Sequence, residues 1–256
     1  MKTIAIKLSQ LKIPLLMAIA FCISINASAQ LTEAQRYEES KKTEVWKPVP
    51  PKVEAMPNQP PSDAIILFDG NGIDSWEAID GSDAPWDHSP YAMTVRAGSG
   101  DIVSKQSFCD VQMHIEWRTT REDDKTGQNK GNSGIFLQSR YEIQVLDTYQ
   151  NSTYPNGQAA SIYKQFIPLV DASRPAEEWQ TYDIIYTAPR FTGSELTSPA
   201  RLTLLHNGVL VHNNVELKGQ TEWIGEPKYY AHECLPIKLQ DHGSANSFRN
   251  IWIREI

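Results

Sequence analysis

Residues 140–145 alternate strictly between polar and apolar side chains, and this restricts the chain more than any other feature. In a strand, successive side chains point to opposite faces. Tyr141, Ile143 and Val145 then share one face, and Arg140, Glu142 and Gln144 share the other. The segment is introduced by the turn residues Gly131, Asn132, Ser133 and Gly134, followed by the apolar Ile135, Phe136 and Leu137. Asp147 lies just beyond it. The apolar face belongs against a core. The polar face suits either the solvated side of an antiparallel sheet or a binding surface, and these residues alone leave both open.

The rest of the chain repeats the pattern. Short strands are expected at 65–68, 91–95, 102–105, 111–118, 179–187, 201–205, 209–212, 235–240 and 248–255. Asp69-Gly70-Asn71-Gly72 ends the first of them. Gly98-Ser99-Gly100-Asp101 reads as a hairpin turn joining 91–95 to 102–105, and Asn207-Gly208 as another joining 201–205 to 209–212. Residues 161–163 read as a short strand or a loop crossing the sheet. Many short strands, Asn, Gly and Pro turns, and little helical periodicity indicate an all-β sandwich or jelly roll. No repeat of fixed period is present, which argues against a propeller.

The first 29 residues read as an export signal. Lys2, Lys7 and Lys12 precede an apolar run over 13–25, and Ala27-Ser28-Ala29 has the small-x-small pattern of a cleavage site. The run is short for a membrane span, which needs roughly 20 residues. Phe21 before Cys22 speaks against lipid attachment. Cleavage after Ala29 is therefore expected, leaving a periplasmic or secreted protein. Residues 30–62 are polar and then proline-rich, with a short helix expected over 31–43 and an extended tether after it. A single domain is expected over 63–256. Losing the three leader lysines takes the formal charge from −7 to −10. That acidity argues against nucleic acid and anionic membrane as partners. Cys109 and Cys234 remain, and either a disulfide or two buried thiols fits them.

No nucleophile elbow, zinc motif or glycine-rich phosphate loop is present. The chemistry must then rest on polar residues at strand positions. One group is Arg140, Glu142 and Gln144. A second is Gln240, Asp241 and His242, with His232 eight residues before Gln240. A third is Glu116 with Arg118. Each has a plainer reading: Asp241 before a glycine can simply cap the turn, and His88, His114, His206 and His212 suit ordinary surface or hydrogen-bonding roles. Trp179, Tyr182, Trp223 and Trp252 can stack on sugars, although aromatic side chains in a sandwich are mostly core.

The segments GNSGIFLQSRYEIQVLD, SRPAEEWQTYDI, LHNGVLVHNN and PIKLQDHGSANSFRNIWIREI, in that order, resemble the 3-keto-disaccharide hydrolase-like family. FDGNGIDSW resembles the family's opening segment, so the likeness spans 65–256. Gln138-Ser139 departs from it, standing where members often have Arg-Gly. The resemblance implies a concanavalin/laminarinase-like jelly-roll sandwich of two curved antiparallel sheets with a carbohydrate groove. It also implies an exported enzyme acting on 3-keto-glycosides. A ketone at C3 acidifies the C2 proton, so a base can form an enolate that expels the C1 aglycone, and water then adds. On that footing Glu142, Asp241, His232 and His242 are the acid and base candidates. Arg140, Gln144, Arg118 and Gln240 are expected to hold the oxyanion or hydroxyls. No cofactor is required. A divalent cation on Glu142 or Asp241 would also stabilise an enolate, but no ligand spacing demands one. The oligomeric state stays open. Two other readings compete: a non-catalytic carbohydrate-binding domain on the same fold, and a two-carboxylate glycosidase, which needs a facing pair of acids.

Overall fold

The structure, a computed structural model, describes residues 31–256. The leader, its cleavage site at Ala29 and Cys22 lie outside the described residues. The chain forms two compact units divided between Lys52 and Val53. In the first, helix α1 (Glu33–Lys41) starts at Thr32, whose hydroxyl accepts from the Gln35 backbone while the Gln35 side chain accepts from Thr32 N–H. No helix among the described residues is long and apolar enough to cross a membrane.

The second unit is built of fifteen strands. They are β1 (Ile65–Phe68), β2 (Trp76–Ala78), β3 (Asp87–His88), β4 (Met93–Thr94), β5 (Ile102–Phe108), β6 (Val111–Arg118), β7 (Ser133–Leu137) and β8 (Tyr141–Val145). The remainder are β9 (Gln180–Thr187), β10 (Arg190–Thr192), β11 (Glu195–Ser198), β12 (Arg201–His206), β13 (Val209–Glu216), β14 (Leu235–Leu239) and β15 (Ser247–Glu255). An eight-stranded antiparallel sheet runs β13-β12-β9-β6-β15-β4-β3, with β1 also paired to β15. A five-stranded sheet runs β2-β5-β14-β7-β8. This is an all-β sandwich. Its core interleaves Met113, Ile115, Trp117, Tyr182 and Ile184 of the large sheet with Ile135, Leu137, Tyr141, Ile143 and Leu239 of the small one.

Two expectations change. The hairpin joining 91–95 to 102–105 does not form. β4 pairs with β3 and β15, whereas β5 pairs with β2 and β14. The turn between them is a corner at which the chain changes layers. Val95 and Ile102 are both buried, and the corner is held by Trp86 Nε1 donating to Gly100 O and Gly100 N donating to Asp241 Oδ2. Secondly, residues 190–198, which fall outside the expected strands, form the hairpin β10–β11.

The alternation in residues 140–145 is real but is buried on both sides. Along β6 full burial alternates with partial burial, as in a half-solvated sheet, whereas every residue of β7 and β8 is buried. β8 is the last strand of its sheet, yet its free edge is occupied. Ala160 N and Tyr163 N donate to Gln144 O and Glu142 O, and Gln144 N donates to Ser161 O. Thr221 N donates to Arg140 O, and Glu142 N to Thr221 Oγ1. Residues 161–163, expected as a short strand or a loop crossing the sheet, instead run along this edge, with Ile162 making an isolated antiparallel bridge to Ile143. They satisfy an edge that would otherwise template aggregation.

Cys109 and Cys234 form a disulfide, linking the start of β14 to the β5–β6 turn across 125 residues of sequence. Closing so long a loop removes much unfolded-state entropy. Cys109→Ser is expected to lower unfolding free energy by about 2–5 kcal/mol. Guanidinium titration of the variant and the oxidised parent measures the difference, and dithiothreitol should reduce the parent to the variant's midpoint.

Candidate functional site

A cavity of about 750 Å³ lies on the outer face of the five-stranded sheet. β8 contributes Glu142 and Gln144, β7 contributes Phe136, and the end of β14 contributes Gln240 and His242. β14, β7 and β8 are neighbours in one sheet, so the two polar groups separated by about a hundred residues in sequence share one face. Loops complete the walls with Gln128, Asn132, Tyr154, Tyr163, Lys164, Thr221 and Trp223.

Among the described residues Glu142 is the only acidic side chain on these walls, and it is 5% exposed. Burial pushes its carboxyl up to about 8, with Lys238 opposing and Asp101 reinforcing the shift. Gly134, beside it on the sheet face, leaves the room it occupies: a Cβ there would stand 2.8 Å from Glu142 Oε1 and 2.7 Å from the Phe136 ring. Gln144 is fixed by its amide nitrogen, which donates to Gln128 Oε1 at 3.0 Å and to Gly157 O at 3.2 Å. Its oxygen is buried without a partner. Gln240 is fixed by its backbone, which donates to Gly134 O and accepts from Ser133 Oγ. Tyr163 donates to or accepts from Tyr154 at 2.7 Å, and burial raises its phenol well above the ordinary range, so it stays protonated. Lys164 Nζ holds the Trp223 carbonyl at 2.6 Å, which places the exposed indole at the rim.

The other expected site residues lie elsewhere. Asp241 caps its turn, accepting from Gly100 N and Gly243 N at 2.9 Å each, so its carboxylate is committed to the corner. His232 lies on the opposite side of β8, bonded to the Tyr141 hydroxyl at 2.8 Å and to Glu233 O at 2.7 Å, beside the disulfide. Arg118 lies on the outer face of the large sheet with its guanidinium over Trp179, and Glu116 there pairs with Arg249. Arg140 lines an adjoining cavity with Gln220 rather than the one holding Glu142. Gln138 is buried, bonded to Phe108 O and Tyr186, so it is structural in this chain. Among the aromatics, Trp223 reaches the cavity. Tyr182 is core, Trp252 stacks on His114, and Trp179 packs under Arg118 and Arg249.

Residues 128, 132, 154, 163 and 164 were missed because they come from loops with no period to read. The one available signal was the aromatic and polar content of the long 148–164 segment. Among the described residues no group of three or more His, Cys, Asp or Glu side chains is arranged to hold a metal ion.

A sandwich with one desolvated carboxyl set among amides, aromatics and an imidazole in an outer-face cavity has the make-up of a small-molecule site. Residues 63–254 match the 3-keto-alpha-glucoside-1,2-lyase-like domain, and the chain belongs to that family of carbohydrate-active enzymes. Three proteins of Parabacteroides distasonis ATCC 8503, each provisionally assigned as a glycosyl hydrolase, have similar crystal structures. One is 47% identical, with TM-score 0.82, over 84% of this chain and 96% of its own. The second is 17% identical, with TM-score 0.58, over 76% and 94%, and the third is 20% identical, with TM-score 0.52, over 75% and 99%. The latter two share the fold. No curated protein matches the chain.

The raised carboxyl makes stability depend on pH with a definite sign. A carboxyl whose folded pKa exceeds its unfolded value near 4.5 contributes stability below that pH and loses it as the pH rises to about 8. The loss is about 1.4 kcal/mol per pH unit between those values. Glu142→Gln is therefore expected to be more stable than the parent at pH 9 and equal to it at pH 4, as read by urea unfolding at the two values.

Proposed function

We propose that the enzyme cleaves 3-keto-glycosides by elimination, with Glu142 as the base. The observation that carries this reading is the buried Glu142 carboxyl, pushed up to about 8. A base raised in this way is better matched to a carbon acid than an ordinary carboxylate. Glu142 takes the C2 proton, and the C–H electron pair passes into the enolate spanning C2, C3 and the C3 oxygen. That pair then forms the C1=C2 bond while the C1–O bond breaks. The aglycone oxygen leaves with its electrons and takes a proton from Tyr163, whose phenol is held neutral beside Glu142. Water addition across C1=C2 makes the net change a hydrolysis. His242 and Gln240 form the end that receives the C3 oxygen, while Gln144, whose amide hydrogens are both committed, offers its carbonyl oxygen to a sugar hydroxyl.

The two-carboxylate reading is disfavoured because Glu142 has no acid partner on the cavity wall. The Cys109–Cys234 disulfide supports export, since such bonds persist in oxidising compartments. The carbohydrate is the partner this reading requires.

Protein beginning at Gln30 should release aglycone from a 3-keto-glucoside and leave the unoxidised glucoside intact. Turnover of the unoxidised compound would return the case to a two-carboxylate glycosidase, and binding without turnover to a lectin-like domain. Because the base acts deprotonated, kcat/KM should rise with pH and level off above about 8. Glu142→Gln should lose about 10²–10⁴-fold, and full activity in that variant removes Glu142 from the mechanism. A divalent cation at Glu142 is the other way to hold the enolate. Turnover that survives EDTA favours the side-chain donors, and loss restored by added metal favours the cation.

A further inference from the structure

A second cavity adjoins the first on the same sheet face. It measures about 390 Å³ and shares Phe136 and Thr221 with its neighbour. The outward residues of β8 and its approach run Gln144, Glu142, Arg140, at a step of roughly 6.6 Å, which is on the scale of one pyranose ring. Glu142 therefore stands between two compartments. Gln144, Gln240 and His242 lie at one end, and Arg140 and Gln220 at the other.

The Arg140 end has a different character. Arg140 and Lys238 line it, and no carboxylate does. Lys238 is already neutralised by Asp101 at 3.2 Å and lies over the Phe136 ring. Arg140 forms no ion pair among the described residues. Its Nη1 donates to Gln220 Oε1 at 2.6 Å, and its Nε is buried without a partner. Gln220 is itself oriented, since its Nε2 donates to Glu222 Oε1 at 2.7 Å. The guanidinium is thus aimed by a neutral amide, which stands between it and the Glu222 carboxylate, and it makes no direct ion pair. A fixed, unpaired arginine at a cavity wall suits a planar carboxylate, which it can bind through two donors.

We infer that this second cavity is the leaving-group subsite and that it selects an aglycone carrying a carboxylate, such as a uronic acid. The inference rests on the elimination reading. With C2 at Glu142 and the C3 oxygen toward His242, the C1–O bond points along β8 toward Arg140.

Two 3-keto-glucosides that differ only in the aglycone, 4-carboxyphenyl and 4-carbamoylphenyl, test it. The parent is expected to favour the carboxylate by tenfold or more in kcat/KM, the preference falling with added salt. Arg140→Gln should bring the ratio of the two substrates close to one, while Arg140→Lys should keep part of the preference. No preference in the parent, or an equal loss on both substrates in Arg140→Gln, overturns the inference and makes Arg140 a support for the Gln220 loop. Ligand-observed NMR with D-glucuronate and D-glucose separates this result from failure of the reaction reading. Glucuronate binding that Arg140→Gln abolishes, with no turnover of either glucoside, upholds the anion site and sinks the elimination. Turnover without glucuronate preference does the reverse.

Discussion

Closure of the free edge of β8 is the interaction on which the site depends. An edge strand ordinarily leaves a row of backbone donors and acceptors in water. Here residues 160–163 and Thr221 take up those of Arg140, Glu142 and Gln144. The segments that satisfy the edge also roof the outer face. A polar sheet face that would be solvated becomes a cavity wall, and Glu142 loses the water that would keep its carboxyl in the usual range. Satisfying the backbone and tuning the acid are one act of folding.

The same strand is tied to the layer beneath. Tyr182 of β9 sends its hydroxyl through the core to Gln144 O at 2.8 Å, and Tyr186 reaches Gln138 at 2.9 Å. His212 of β13 bonds Ala160 O at 2.8 Å, so the loop that closes the edge is also held by the opposite sheet. These ties place the site on rigid elements, the arrangement that holds catalytic groups within tolerance. Both tyrosine rings are fully buried in the core. Their hydroxyls carry the positional information.

Along β8 the chemistry has a direction. The Gln240 amide and the His242 imidazole stand at one end, the desolvated carboxyl in the middle, and an arginine without a direct ion pair at the other. A ketone oxygen, an acidic carbon and a departing oxygen in a 3-keto-glycoside follow one another in the same order. The strand period therefore sets the spacing of the site as well as the packing of the core.

What the sequence determined by itself was the local grammar: strand positions, inward and outward faces, turn chemistry, and the family carried by four ordered segments. Glu142, Gln144, Gln240 and His242 were legible because alternation and motif agreed on them. Tertiary structure alone decided which of the candidates share a surface. Asp241 and His242 are adjacent in sequence, yet one is spent on a corner turn and the other lines the cavity. His232 and Glu142 fall on opposite faces of one strand, a separation that depends on how the 217–234 loop returns to the sheet. Trp223 was visible only as one of several aromatic candidates; Tyr163, Gln128 and Lys164 were invisible because loop residues obey no period, and their places come from hydrogen bonds to β8 and, for Lys164, to the Trp223 carbonyl. The pairing of β4 with β15 rather than β5 has the same cause. Burying Val95 and Ile102 in the shared core outweighs a local hairpin, and sequence neighbours carry no record of that competition.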